Sequence, residues 1–192
     1  TGIVGHFIAK QLLDDGYKVR AIKRENSNTS RLGNYNNLEW VNADVEDIPS
    51  LQQAFDGIES VVHCAAVVSF HQEDKQKMMD VNVSGTANMI NQALAHKVRK
   101  FVHISSVAAL GRKDGQMVID ENTKWEDSKN NSNYAESKYL GELEVWRGQE
   151  EGLNTVILNP STVLGPGDWN MSSMQVFKFV NQGRKFYPPG EM

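Results

Sequence analysis

Ile58-Glu59-Ser60-Val61-Val62-His63-Cys64-Ala65-Ala66 is the stretch on which the fold turns. It is a short apolar run broken by one His and one Cys, the pattern of a strand buried on both faces, as in a parallel sheet. Outward from it, strands and helices alternate. Upstream, helical spacing of Val4, Phe7, Ile8 and Leu12 predicts a helix from Gly2 to a stop at Gly16. Strands follow at Lys18 to Lys23 and Leu38 to Val41, then a short helix from Pro49 to Phe55. Downstream come a long helix from Asp74 to His96, a strand from Lys100 to Ser105 and a polar loop from Gly111 to Asn131. The chain then predicts a helix from Tyr134 to Glu150, whose buried side takes Leu140, Leu143, Val145 and Trp146, a strand from Leu153 to Asn159 and a last helix near Met174 to Gln182. Such alternation needs crossover connections, so the predicted class is α/β, a doubly wound parallel sheet with helices on both faces.

Tyr134-Ala135-Glu136-Ser137-Lys138 opens one of these helices. Residues four apart share a helical face, so the phenol and the ammonium can enter one pocket. A cation beside a phenol favours phenolate, which predicts a lowered tyrosine pKa and a usable general acid or base. Ser106, the second of a Ser105-Ser106 pair after the preceding strand, supplies a hydroxyl to hold the same substrate oxygen while hydride moves at carbon.

Gly2, Ile3, Val4 and Gly5 follow Thr1 at the start of the first helix. A glycine-rich helix start offers free N–H groups and a positive dipole end to a pyrophosphate. It forms only the second half of a dinucleotide fingerprint, so the first glycine and the first strand of the sheet are expected upstream of Thr1. At the end of the next strand stand Lys23 and Arg24, with Arg31 in the following loop. Guanidinium groups pair with a 2′-phosphate, whereas an acidic side chain would accept from a ribose hydroxyl. NADP is therefore favoured, while Glu25 keeps NAD open.

Composition narrows the alternatives. The 192 residues, 40% of them hydrophobic, suffice for one substantial core. A net charge of −4 with scattered Lys and Arg argues against nucleic acid as a partner. Cys64 is the sole cysteine, which excludes internal disulfides, and the five histidines show no metal-ligand spacing. No signal peptide or apolar run of membrane-spanning length is seen, so no membrane partner and a cytoplasmic location are expected. The opening at Thr1 and the end at Met192, soon after Pro188-Pro189-Gly190, read as those of a fragment.

Seven motifs stand in order: Thr1-Gly2-x-x-Gly5, Ala43-Asp44-Val45, His63-Cys64-Ala65-Ala66, Val81-Asn82-Val83-Ser84-Gly85-Thr86, Phe101 to Ser106, Tyr134-x-x-x-Lys138, and Asn159-Pro160-Ser161 through Gly165-Pro166-Gly167. Together they resemble the extended branch of the short-chain dehydrogenase/reductase superfamily, the NAD-dependent epimerase/dehydratase family. The run Val19 to Arg24 and Ala66-Val67-Val68-Ser69-Phe70 look most like its dihydroflavonol reductase and 3-beta-hydroxysteroid dehydrogenase group. The resemblance implies a Rossmann-like NAD(P)-binding domain over residues 1–170, lacking its first strand, and the start of a substrate-binding portion over 171–192.

It also implies roles. Asp44 and Val45 contact adenine, and Ala65, Ala66 and Val67 lie beneath the ribose and pyrophosphate. Arg24 matches an arginine that this group's reductases use for NADP. Ser105 is a wall residue near the nicotinamide, and Pro160, Ser161 and Thr162 line its face. Ser106 and Tyr134 are catalytic, Lys138 holds the nicotinamide ribose and lowers the tyrosine pKa, and Asn82 orders local backbone. Sugar-nucleotide dehydratases of this branch carry an Asp-Glu pair directly after the catalytic hydroxyl. Here Val107 and Ala108 stand there, which argues against dehydration.

The expected activity is NADP(H)-dependent reduction of a ketone or aldehyde, or the reverse oxidation of an alcohol. A nucleotide-sugar epimerase with tightly held cofactor and a non-catalytic NAD(P)-sensing protein are the alternatives. A small carbonyl or alcohol is the expected partner, and a homodimer stays open.

Overall fold

The computed structural model describes residues 2–112, 115, 118–166 and 175–183. Thr1, Gly167, Met174 and Pro188 to Gly190, which entered the reading above, lie outside them, as does most of the 171–192 portion. The chain divides into compact units Thr1–Ser161 and Thr162–Met192, the second of which contains helix α6 (Gln175–Asn181).

The first unit alternates as α1 (Ile3–Asp14), β1 (Val19–Lys23), β2 (Leu38–Asn42), α2 (Ile48–Phe55), β3 (Ser60–His63), α3 (Lys75–Met78), α4 (Gly85–Ala95), β4 (Lys100–Ile104), α5 (Asn133–Glu150) and β5 (Thr155–Leu158). All pairing is parallel. β1 registers Val19 on Leu38 of β2, β3 registers Ser60 on Lys100 of β4, and β4 registers Phe101 on Thr155 of β5. Among the described residues no ladder joins β1 to β3, and the parallel strands form a two-stranded piece, β1-β2, and a three-stranded piece, β3-β4-β5.

Burial along β3 corrects the reading of Ile58 to Ala66. Val61 and His63 point inward, whereas Val62 is 38% exposed and Ala65 and Ala66 are exposed. Among the described residues β3 pairs with β4 alone, and its ladder ends at His63. The run is buried on one face along β3 and leaves the ladder after it.

The core lies where β3 and β4 meet α2, α4 and α5. Leu51, Ile90, Phe101 and Val145 are each fully buried there, and removing a side chain of that size from water contributes about 1.5–3 kcal/mol. The predicted helix from Asp74 to His96 is present but carries a π-helical segment, Met79–Ser84, between α3 and α4. Such a segment inserts an extra residue into the turn and re-aims its side chains.

α5 buries Ala135, Ser137, Lys138, Gly141, Glu142, Val145 and Gly148. Of its four predicted core residues only Val145 is fully buried, while Leu143 is 43% and Trp146 50% exposed. The buried stripe is small because the neighbouring helix lies so close. A Cβ added to Gly141 would stand 2.5 Å from the Asn82 carbonyl oxygen, and one on Gly148 would stand 2.6 Å from Ile90 Cγ2.

Candidate active site

β4 ends at Ile104 and delivers Ser105 and Ser106 to the tip of the three-stranded sheet. Ser106 is extended, and its Oγ accepts from the Ala108 amide at 3.2 Å, capping a short turn over Val107–Leu110. The Ser132 hydroxyl caps α5 by accepting from Ala135 N at 3.1 Å. Tyr134 therefore lies in the first helical turn and Lys138 one turn on. The loop between is pinned at two places. Arg112 N donates to Asn131 Oδ1 at 3.1 Å, and the Trp125 ring stacks on Tyr139 at 4.4 Å.

Ser106 and Tyr134 come together: the serine hydroxyl lies close enough to the phenol to work to lower its pKa. Burial outweighs that effect, so the Tyr134 pKa is raised overall. This is opposite to the shift expected from a neighbouring cation. The reason is where the ammonium goes. Lys138 is 2% exposed, and its Nζ donates to the Ile104 carbonyl at 3.1 Å. Burial pushes the Lys138 pKa down to about 8, opposed by Glu142 and then Cys64. The Phe70 ring, 82% exposed, meets Tyr134 edge-on at 6.4 Å.

Behind Lys138 lie two buried imidazoles. Burial first, and the Lys138 charge after it, push His63 down to about 3, while burial, then His63 and Lys138, push His103 down to about 2. Both are neutral at physiological pH. Thr86 spends its hydroxyl proton on the Asn82 carbonyl at 2.7 Å, so at 3.1 Å it accepts from His63 Nε2, which fixes the tautomer. Among the described residues neither ring nitrogen of His103 has a hydrogen-bond partner.

The groups expected to hold a dinucleotide sit at strand ends and at the start of α1. Gly2 stands at the N-cap of α1, with Ile3, Val4 and Gly5 in its first turn, and among the described residues no side chain caps these amides. Arg31 lies near enough for its charge to help depress the pKa of His6 in that turn, after the larger effect of burial. Arg24 is exposed and lines an open cavity of about 690 Å³ with Glu25, Asn26, Ser27 and Asp44. Asp44 is half-buried and accepts from Glu46 N at 3.1 Å, whereas the Val45 side chain is buried against Gly85. These residues suit a dinucleotide: uncapped amides for the pyrophosphate, and a guanidinium beside an open cavity for a ribose phosphate.

Ala65 and Ala66 are exposed beyond β3, and Asn82 holds the main chain of Val67. Ser105 is buried, and its Oγ makes no hydrogen bond of standard geometry although it lies close enough to the Glu142 carboxyl to lower its pKa. The Pro160 carbonyl accepts from Val107 N at 3.0 Å, and Ser161 closes the first unit. Thr162 begins the second unit and is exposed.

Sequence reasoning passed over Glu142 and the Asn159 side chain. Asn159 Nδ2 donates both to Glu142 Oε1 and to the Ser106 carbonyl, the latter at 3.1 Å. The available signal was spacing, because Tyr134, Lys138 and Glu142 fall at i, i+4 and i+8 on one helical face.

The chain is 38% identical over 168 residues to a putative dihydroflavonol 4-reductase of Synechocystis, covering 88% of this chain and 48% of that one. Among solved structures, gox2253 matches with a TM-score of 0.85 at 35% identity, over 96% of this chain and 56% of that one. The Bordetella bronchiseptica enzyme WbmH, solved in complex with NAD+, matches with a TM-score of 0.77 at 26% identity, over 95% and 60%. The chain thus spans about half the length of its curated relative. No helix among the described residues is long and apolar enough to cross a membrane. The model of the NAD dependent epimerase/dehydratase family matches residues 1–185, and the chain, with its Rossmann-like fold, belongs to that family.

Proposed function

We propose that this protein reduces a ketone or aldehyde with NADPH, using Ser106, Tyr134 and Lys138. The observation that carries the reading is the approach of the Ser106 hydroxyl, just past β4, to the Tyr134 phenol, one helical turn from a buried lysine. The nicotinamide supplies hydride. Tyr134, kept protonated by burial, gives its proton to the carbonyl oxygen, and Ser106 steadies that oxygen by hydrogen bonding. Lys138 holds the nicotinamide ribose, Gly2 to Gly5 face the pyrophosphate, and Arg24 with Arg31 binds the 2′-phosphate. Asp44, Val45, Ala65, Ala66, Val67, Ser105, Pro160 and Ser161 make up the remaining wall of the cofactor site.

Val107 and Ala108 can neither donate nor accept a proton, so dehydration has no second acid or base beside the tyrosine. Exposed Phe70 favours a hydrophobic carbonyl compound. The reading places the enzyme in the cytoplasm, with a homodimer as its proposed assembly. The test incubates the full-length protein with NADPH and a panel of ketones, aldehydes and sugar nucleotides, following reduced-nicotinamide absorbance and product mass. Alcohol formed with equal NADPH consumption is expected. An epimer, or a product lighter by one water, with no net cofactor oxidation overturns the assignment.

A further inference from the structure

The Glu142 carboxyl is 7% exposed, one turn beyond Lys138 and two beyond Tyr134 on α5. Burial raises its pKa, opposed by the Ser105 hydroxyl, the Asn159 amide and the Lys138 charge. A buried acid is costly, and it persists where its partners make it useful. Here the partners converge on the reacting residues. Asn159, just past the end of β5, spends the two hydrogens of one amide nitrogen on Glu142 Oε1 and on the Ser106 carbonyl. Helix α5, strand β5 and the Ser106 main chain are thereby joined through a single side chain.

The surroundings of Lys138 leave the carboxyl a second task. His63 faces it from β3, Cys64 from just beyond that strand, His103 from β4, and Glu142 from its own helix. Both imidazoles are neutral, and burial first pushes the Cys64 thiol up to about 11. Glu142 is the one group of this set able to carry a negative charge near neutrality.

We propose that Glu142 is a positioning residue, which through Asn159 fixes the Ser106 main chain against α5 and supplies the counter-charge for Lys138. It acts through these neighbours. The inference rests on the reading of Ser106, Tyr134 and Lys138 as the reacting groups.

The test uses the full-length protein with Glu142→Gln, Glu142→Ala and Asn159→Ala. Glu142→Gln keeps an acceptor for Asn159 but no charge; kcat should fall about tenfold, with NADPH Kd within about threefold of wild type, and the alkaline limb of the kcat profile should move down by about one pH unit. Asn159→Ala should lower kcat and leave the limb where it was. Glu142→Ala should do both. A direct reading comes from the Lys138 side-chain resonance, followed against pH in 13C-labelled protein: its pKa should drop in Glu142→Gln whether or not a substrate has been found. An unmoved Lys138 titration overturns the proposal, as does activity lost only in step with a lowered melting temperature at an unchanged pH profile. Failure of the underlying assignment is separable, because normal turnover by Tyr134→Phe sinks that assignment without touching the Lys138 titration.

Discussion

Asn82 grips the main chain of Val67 at both polar groups, its Oδ1 accepting from the amide at 2.8 Å and its Nδ2 donating to the carbonyl at 2.9 Å. The same Nδ2 donates to Ser137 Oγ at 2.9 Å, on the helix that carries Tyr134 and Lys138. An irregular loop after β3 is thus given a strand-like partner by one side chain, set at that angle by the π-helical turn. Asn82→Ala strands these groups in a buried setting and should destabilise the protein by about 2–4 kcal/mol. Chemical denaturation measures it; a loss under 1 kcal/mol, well short of that, would show that water replaces the amide readily.

Tyr134→Phe removes the proton donor and leaves the packing against Phe70. Turnover of the full-length protein should fall by about 10²-fold or more with NADPH affinity nearly unchanged. Lys138→Ala should damage both, since it empties a buried site as well. Stopped-flow turnover and cofactor fluorescence titration report the two effects separately.

Arg24 is exposed beside the cavity that also holds Glu25 and Asp44. Charge-assisted bonds from a guanidinium to a 2′-phosphate contribute about 1.5–3 kcal/mol. NADPH should bind more tightly than NADH, and Arg24→Asp should shrink or reverse the difference. A wild-type preference for NADH in cofactor titrations removes this reading of Arg24.

Gly141 and Gly5 should respond differently to alanine. At Gly141 the new Cβ meets the Asn82 carbonyl oxygen at 2.5 Å, a main-chain atom that moves only with its helix. At Gly5 it meets Cys64 Cβ at 3.6 Å, an ordinary contact. Gly141→Ala should therefore cost about 1–3 kcal/mol, with Gly5→Ala near neutral. Equal thermal shifts for the two variants would contradict the close approach of α5 to the π-helical segment.

The buried imidazoles make stability pH-dependent. Burial pushes the His63 pKa down to about 3 and that of His103 down to about 2 in the folded chain, below the ordinary imidazole value of about 6.5. Below that value the unfolded chain binds protons that the folded chain refuses, so stability is full above about pH 6.5 and declines as pH falls towards 3. His103→Gln should flatten this decline. Thermal melts from pH 7 to 4 measure the slope, and parallel slopes in wild type and variant would exclude His103 as a source.

Alternation of apolar runs, the helical start at Gly2 and the Tyr134–Lys138 spacing were legible without coordinates, because they depend on local periodicity and capping. Composition alone likewise argued against disulfides. What locality cannot carry is which face a neighbour covers. Leu143 and Trp146 read as core by hydrophobicity, yet Gly141 and Gly148 face the core, because close helix contact selects for the absence of a side chain. The same holds at the site. Adjacency of Tyr134 and Lys138 on the helix suggested a lowered phenol pKa, but burial sets its direction and the Ile104 carbonyl holds the ammonium. The link from Glu142 through Asn159 to Ser106 joins residues 17 and 53 positions apart and exists only once α5 and β5 are packed. Sequence determined which chemical groups this chain owns and the order of its elements; tertiary packing decided their solvation and partners, since desolvation and hydrogen-bond geometry belong to the folded volume and not to the chain.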